Sequence, residues 1–421
     1  MEMRKENNII GDTIVTKKLS SGMKCYIIPK NGYQEKMAVL SAKFGSNDIY
    51  YRRPTEEQKH DMPLGTAHFI EHKLFEQSWG DAFTTFSNQC ATANAFTDFQ
   101  KTAYYFNCQK NFELNLKLLL SFVQHTHFTE ESTEQEKKII ASEITMYQDD
   151  PSWIVFFKLL ENMYHNHTVK YPIAGTVDTI QCVTKEILQK SYEAYYTPEN
   201  FCLVCAGDIE SDSILDMAEK VMKPTNGHRA VTLFEKEPES IVKQYAETNM
   251  SLVNPIFQIG FKQKPQDEIK SLKQVYLMRI AMDILAGESS DFFEKAYQKQ
   301  LLKETMDCEF FSGEGYAFTT FSGTGEFAQK TAELLLTEID NIQKQGIPES
   351  IFERAKNKQV GRMIRGFNSI YAICMSQLEL AMKNRDLFDG FHTLKSIKIE
   401  EVQRVFQKDF LKENMVISVV K

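Results

Sequence analysis

Displaced by 214 residues, the chain lies over itself. "KEILQKSYEAYYTPENFCLV" and "EEVQRVFQKDFLKENMVISVV" align on Glu199-Asn200 and Glu413-Asn414, and in that register Glu186 meets Glu400, Gln189 meets Gln403, Lys190 meets Arg404 and Tyr192 meets Phe406. Each copy has the pattern of an amphipathic helix, a short polar turn and a closing apolar strand, so the expected fold is α+β, with two similar domains in tandem. A chain of 421 residues gives each copy enough length to bury its own core. Periodicity breaks in "MKPTNGHRAVTLFEKEPES" at Pro224, Asn226 and Gly227, which sets the expected domains at 1–225 and 226–421.

Strand-like runs open the first copy ("MKCYIIPK", "MAVLSAKFGS") and helical stretches follow, the pattern of a sheet covered by helices. In "NFELNLKLLLSFV" the residues Phe112, Leu116, Leu119, Leu120 and Val123 recur at helical spacing and define a core face. "TEESTEQEKKIIASEITMYQDDP" starts with Thr129 as an N-cap, crowds acids into its early turns and is stopped before Pro151, giving a helix of about five turns.

A net charge of −8 without any Lys/Arg run of five or more argues against nucleic acid and anionic membrane as partners. The polar N-terminus, "MEMRKENNIIGDTIV", has no apolar h-region, and no run of some eighteen apolar residues occurs, so a cytoplasmic location is expected. The eight cysteines are too sparse for a disulfide scaffold. Cys202 and Cys205 form a CxxC, but "FCLVCAG" reads as a buried strand whose period of two sends the two thiols to opposite faces.

The segment with chemistry is "GTAHFIEHKLFE", residues 65 to 76, where His68 and His72 stand four apart with Glu71 between them. On a helix this spacing projects both imidazoles from one face, so that they can share a cation at about 2.0 Å. Glu71 falls on the neighbouring edge, placed to touch a water beside that cation. Leu64, Ala67, Phe69, Ile70, Leu74 and Phe75 surround the polar trio, and buried His and Glu need partners. A catalytic zinc site takes three protein ligands, so a third must come from elsewhere. Glu136 and Glu143 lie seven apart on one face of the acidic helix: one can ligate while the other bonds a ligand or orients substrate. His125 with His127, and His165 with His167, are competing pairs, but no carboxylate stands at suggestive spacing as a base.

H-x-x-E-H is the inverzincin signature, and the chain resembles the M16 (pitrilysin/insulinase) metallopeptidases, above all their YmfH-like bacterial branch. "GTAHFIEHKLFE" is similar to that family's first zinc helix, and "EKKIIASEITMYQDDP" to its downstream E-x6-E pair. The resemblance implies Zn2+ held by His68, His72 and Glu143, with Glu71 and Glu136 as catalytic groups. "ANAFTDFQKTAYYF" resembles the strand beside the site along which peptide lies, which nominates Asn94 and Ala95 for substrate binding. "YPIAGTVDTI" and "YYTPENFCLVCAGDI" resemble the end of the family's first domain. The implied fold is two mainly antiparallel sheets covered by helices, one chain supplying half of a clam-shaped chamber. The implied function is a zinc endopeptidase subunit for short unfolded peptides. Alternatives within the family are a non-catalytic structural or binding subunit, or a subunit processing leader peptides in ribosomal-peptide maturation.

One departure bears on partners. Second domains of the family that assist catalysis carry an Arg and a Tyr after an S-S-x-x-F-like turn, whereas here "SSDFFEKAYQKQLLKETMDCEFFSG" follows, and no arginine lies between Arg279 and Arg354. A heterodimer with a related subunit supplying that pair is therefore expected ahead of a homodimer.

Overall fold

The computed structural model describes residues 2–7, 11–225, 227–266 and 268–421. It resolves into two compact units.

The first unit comprises Met1–Ile144, Pro172–Leu233 and Ile364–Phe388. Its sheet has seven strands: β1 (Glu2–Asn7), β2 (Asp12–Lys18), β3 (Lys24–Pro29), β4 (Lys36–Ala42), β5 (Ala91–Thr97), β6 (Thr102–Cys108) and β7 (Phe201–Gly207). Their order is β1-β2-β3-β7-β4-β6-β5, which leaves β5 at an edge. Every residue of β7 is buried, Cys202 and Cys205 included, as its central place requires. Phe112, Leu116, Leu119, Leu120 and Val123, read as a core face, are all buried in and just after the helix Phe112–Phe122.

The second unit comprises Thr145–Tyr171, Phe234–Met363 and Asp389–Lys421. Its strands are β8 (Tyr245–Thr248), β9 (Ile256–Gln263), β10 (Asp307–Gly313), β11 (Tyr316–Thr324) and β12 (Met415–Val420), in the order β8-β12-β9-β11-β10. The repeat is visible in the pairing. β7 runs parallel to β3 and antiparallel to β4; β12 runs parallel to β8 and antiparallel to β9. Each follows a helix and a 3-10 turn, Lys185–Tyr195 with Pro198–Asn200 in one case and Ile399–Lys408 with Lys412–Asn414 in the other. The mainly antiparallel α+β arrangement is the one expected.

The units are not the contiguous stretches 1–225 and 226–421. The change of unit closest to that cut falls between Leu233 and Phe234, and the two halves also exchange segments. The helix Pro151–Met163 packs on β9 and β12 in the second unit, while the helix Ile370–Ala381 packs on β4 and β7 in the first. Each sheet thus has an apolar face covered by a helix from the other half of the sequence. Of the residues expected at the boundary, Asn226 lies outside the described residues.

Asp48 shows what burial does in the first unit. Its carboxylate accepts hydrogen bonds from Gly45 N at 2.7 Å and from the Thr232 hydroxyl, yet burial outweighs both and pushes its pKa up to about 6 from 3.8. A raised folded-state pKa contributes stability that is complete below the unfolded value and is lost as pH climbs through about 6. At about 1.4 kcal/mol per unit this amounts to roughly 3 kcal/mol. Asp48→Asn keeps a neutral group of the same shape there, so the wild type should lose urea stability relative to this variant between about pH 4 and pH 7. A gap independent of pH would contradict the assignment.

Candidate metal centre

Helix α1 (Thr66–Leu74) begins at Gly65, whose φ of +88° favours glycine and whose added Cβ would lie 2.3 Å from the Ala174 carbonyl oxygen. That close approach sets the entry angle of the helix. Phe69, Ile70 and Leu74 are fully buried, and this apolar anchor carries His68 and Glu71 into the interior at 8% exposure each. His68 and His72 project together, with ring centroids 4.6 Å apart.

Helix α2 (Glu130–Gln148) is anchored by Ile140 and Ile144, with Thr129 Oγ1 accepting from Ser132 N at 3.1 Å at its start. It ends before Pro151, which opens the next helix. Its seven-residue spacing brings both carboxylates to the imidazoles, in different places. Glu143 faces both: Oε1 lies 3.7 Å from His68 Nε2 and Oε2 lies 3.5 Å from His72 Nε2. Glu136 Oε1 instead pairs with His72 Nδ1 at 2.9 Å. Glu136, grouped with Glu71 as catalytic in the sequence reading, therefore stands where a residue orients a ligand.

The ligand atoms of His68, His72 and Glu143 lie within 4.8 Å of one another, and no other such group of three or more occurs among the described residues. The fit to a cation can be tested on the protein alone. A tetrahedron with bonds of 2.0–2.1 Å has edges of about 3.3–3.4 Å, close to the two Nε2-to-carboxylate separations. His68 Nδ1 is buried without a hydrogen-bond partner, and its Nε2 is too far from Glu143 for a hydrogen bond. A cation at Nε2 would take the lone pair that Glu143 does not reach, while Nδ1 carries the ring proton. The hydrogen bond from Nδ1 to Glu136 fixes the tautomer that leaves Nε2 of His72 as the donor atom.

The electrostatics separate the three groups on α1. Burial, aided by the neighbouring His72, pushes the His68 pKa down to about 4, so the ring stays neutral near pH 7. Burial also opposes charge on His72, but the bond to Glu136 and the charges of Glu71, Glu136 and Glu143 together hold its pKa above the usual value. Burial raises Glu71 to about 7, against a hydrogen bond from Thr97. A carboxyl poised near neutrality both accepts and returns protons efficiently.

Asn94 and Ala95 lie on β5, the free edge beside α1. Ala95 N–H donates to the side-chain oxygen of Asn94 at 2.8 Å. Of the competing histidines, one of each pair is otherwise engaged. His125 Nδ1 bonds the Ser121 carbonyl, while His167 accepts from Val169 N and donates to the Glu314 carbonyl. Thr97, the donor to Glu71, was missed by the sequence reading. Strand alternation, which places Thr97 on the same face as Ala95, is the signal that could have found it.

A buried H-x-x-E-H helix is the hallmark of inverzincin metallopeptidases. Residues 57–177 match the family model for insulinase (peptidase family M16), and residues 183–359 match the peptidase M16 inactive domain. The chain is 34% identical over 415 residues to the uncharacterized zinc protease YmfH of Bacillus subtilis, covering 96% of each. The crystal structure of a putative M16-like peptidase from Alicyclobacillus acidocaldarius superposes with a TM-score of 0.93 at 29% identity, covering 97% of this chain and 98% of that one. A protease structure from Helicobacter pylori shares the fold at a TM-score of 0.84 and 19% identity, over 97% and 99%. The chain belongs to peptidase family M16, the insulinase family.

Proposed function

We propose that this chain is the catalytic subunit of a cytoplasmic zinc endopeptidase that hydrolyses short unfolded peptides, paired with a related non-catalytic subunit. The observation carrying this reading is the convergence of two Nε2 atoms and one carboxylate beside a buried second carboxylate. His68, His72 and Glu143 would hold zinc, which when bound acidifies water and polarises the scissile carbonyl. Glu71 takes the proton from the attacking water as the new C–O bond forms. It then delivers that proton to the amide nitrogen as the C–N bond breaks, releasing an amine and a carboxylic acid. The edge of β5 at Asn94 and Ala95 receives substrate as an added strand, which reads extended backbone more than side chains.

The partner reading rests on the absence of arginine between Arg279 and Arg354. Recovery of only self-paired chains with full turnover from the native host would overturn it. Among the described residues no helix is long and apolar enough to cross a membrane. A complete donor set favours the catalytic reading over a purely structural subunit, and leader-peptide processing would use the same chemistry. Protein purified without added metal should carry about one zinc per chain and cleave unfolded peptides; metal-free, inactive protein that fails to take up zinc would refute the reading.

Glu136 offers a graded test. Glu136→Gln keeps the side chain's shape but removes the charge that holds His72 Nδ1–H. Zinc affinity should fall about 10–100-fold with the fold retained, as read by chelator competition. Unchanged affinity would show that Glu136 does not orient the ligand.

A further inference from the structure

The base of the proposed reaction sits on α1, and the strand proposed to receive substrate is β5; one hydrogen bond joins them. Thr97, the last residue of β5, donates from Oγ1 to Glu71 Oε2 at 2.6 Å. A charge-assisted bond of this length is among the strong ones. It occupies one carboxylate oxygen and leaves Oε1 for proton transfer.

The donor is itself held in place. Thr97 pairs with Thr102 across the β5–β6 hairpin, and their hydroxyl oxygens are 3.2 Å apart. Thr102, fully buried, donates its proton to the Phe44 carbonyl at 2.8 Å, so its hydroxyl rotor is fixed and the single Thr97 proton is directed to Glu71. Beyond Thr97 the hairpin turn is built on Asp98, whose Oδ1 accepts from Gln100 N and Lys101 N at 2.7 and 2.8 Å. Lys101, 2% exposed, pairs with Asp98 and with Glu379. The 45–48 loop clamps the turn from outside. Ser46 N donates to the Asp98 carbonyl and Asn47 N to the Phe99 carbonyl, at 2.9 and 3.1 Å. This approach is possible because residue 45 is glycine: an added Cβ would stand 2.4 Å from Gln100 N. Backbone and side-chain bonds on both sides thus over-determine the position of a single hydroxyl.

We propose that Thr97 is the positioning residue for the base: it fixes the Glu71 carboxylate relative to the strand on which the peptide lies, so that substrate docking and base alignment share one rigid hairpin. The inference rests on the zinc-peptidase reading and adds a residue and a coupling to it. A misplacement of a catalytic group by about 1 Å can cost about 10²-fold in rate.

The test uses zinc-loaded protein, together with whichever chain co-purifies with it, in three forms: wild type, Thr97→Val and Thr97→Ser. Valine keeps the branched shape and loses the donor; serine keeps the donor. Thr97→Val should lower kcat at least tenfold with KM within about twofold and zinc content unchanged, while Thr97→Ser should stay within about threefold of wild type. In metal-free protein labelled with 13C at glutamate carboxyls, the Glu71 resonance, assigned by its loss in Glu71→Gln, should move in Thr97→Val and hold its place in Thr97→Ser. Thr97→Val hydrolysing at the wild-type rate, a rise in KM alone, or a Glu71 resonance unmoved by valine would overturn the positioning role and leave the peptidase reading standing. Wild-type protein without Glu71-dependent hydrolysis would sink the underlying reading instead.

Discussion

Glu71→Gln should abolish peptide hydrolysis while leaving zinc in place. Glutamine matches the shape of the carboxylate and accepts the Thr97 hydrogen bond through its carbonyl oxygen, but it has no basic oxygen for the proton of the attacking water. General acid–base catalysis typically contributes about 10²–10⁴-fold, so kcat should fall by at least the lower end of that range. Because Glu71 touches neither the Nε2 atoms nor the Glu143 carboxylate by hydrogen bond, metal content should match the wild type, measured on the same preparations used for kinetics. Turnover at the wild-type rate would mean that another group removes the proton.

Glu143→Ala should do what Glu71→Gln does not. Three protein ligands is the number a catalytic zinc site requires, and Glu143 is the carboxylate lying 3.5 and 3.7 Å from the two Nε2 atoms. Removing it leaves two imidazoles on one turn of helix, so both zinc and activity should be lost, with zinc content by elemental analysis falling from about one per chain to near zero. The variant remains informative about the fold, since Ile140 and Ile144, not Glu143, anchor α2. Retention of stoichiometric zinc would assign the third ligand to another residue. Together the two variants separate proton transfer from metal binding, because one loses rate alone and the other loses both.

How much of this was legible without coordinates follows from the range over which each signal acts. The His68/His72 pair is local: helical periodicity alone brings the rings to one face. The repeat was legible because helix, turn and strand recur together, as "KEILQKSYEAYYTPENFCLV" and its partner show. Spacing placed Glu136 and Glu143 on one face but could not divide their roles. That depends on which turn of α2 lies opposite the Nε2 atoms, a tertiary fact. Thr97 lies 26 residues from Glu71 and meets it through a hairpin locked by the 45–48 loop, so strand alternation gives its face but not its partner. The exchange of the helices Pro151–Met163 and Ile370–Ala381 was illegible for a related reason. Their apolar faces say that they are buried, and nothing in periodicity says against which sheet.

The central claim is that one divalent ion is bound by a single turn of α1 and one carboxylate of α2. Anomalous diffraction at the zinc edge from crystals of metal-replete protein tests it directly. The account predicts one peak per chain, with Nε2 of His68, Nε2 of His72 and the Glu143 carboxylate each at about 2.0–2.2 Å from it. A peak elsewhere, or density showing these three side chains turned away from a common point, would contradict it.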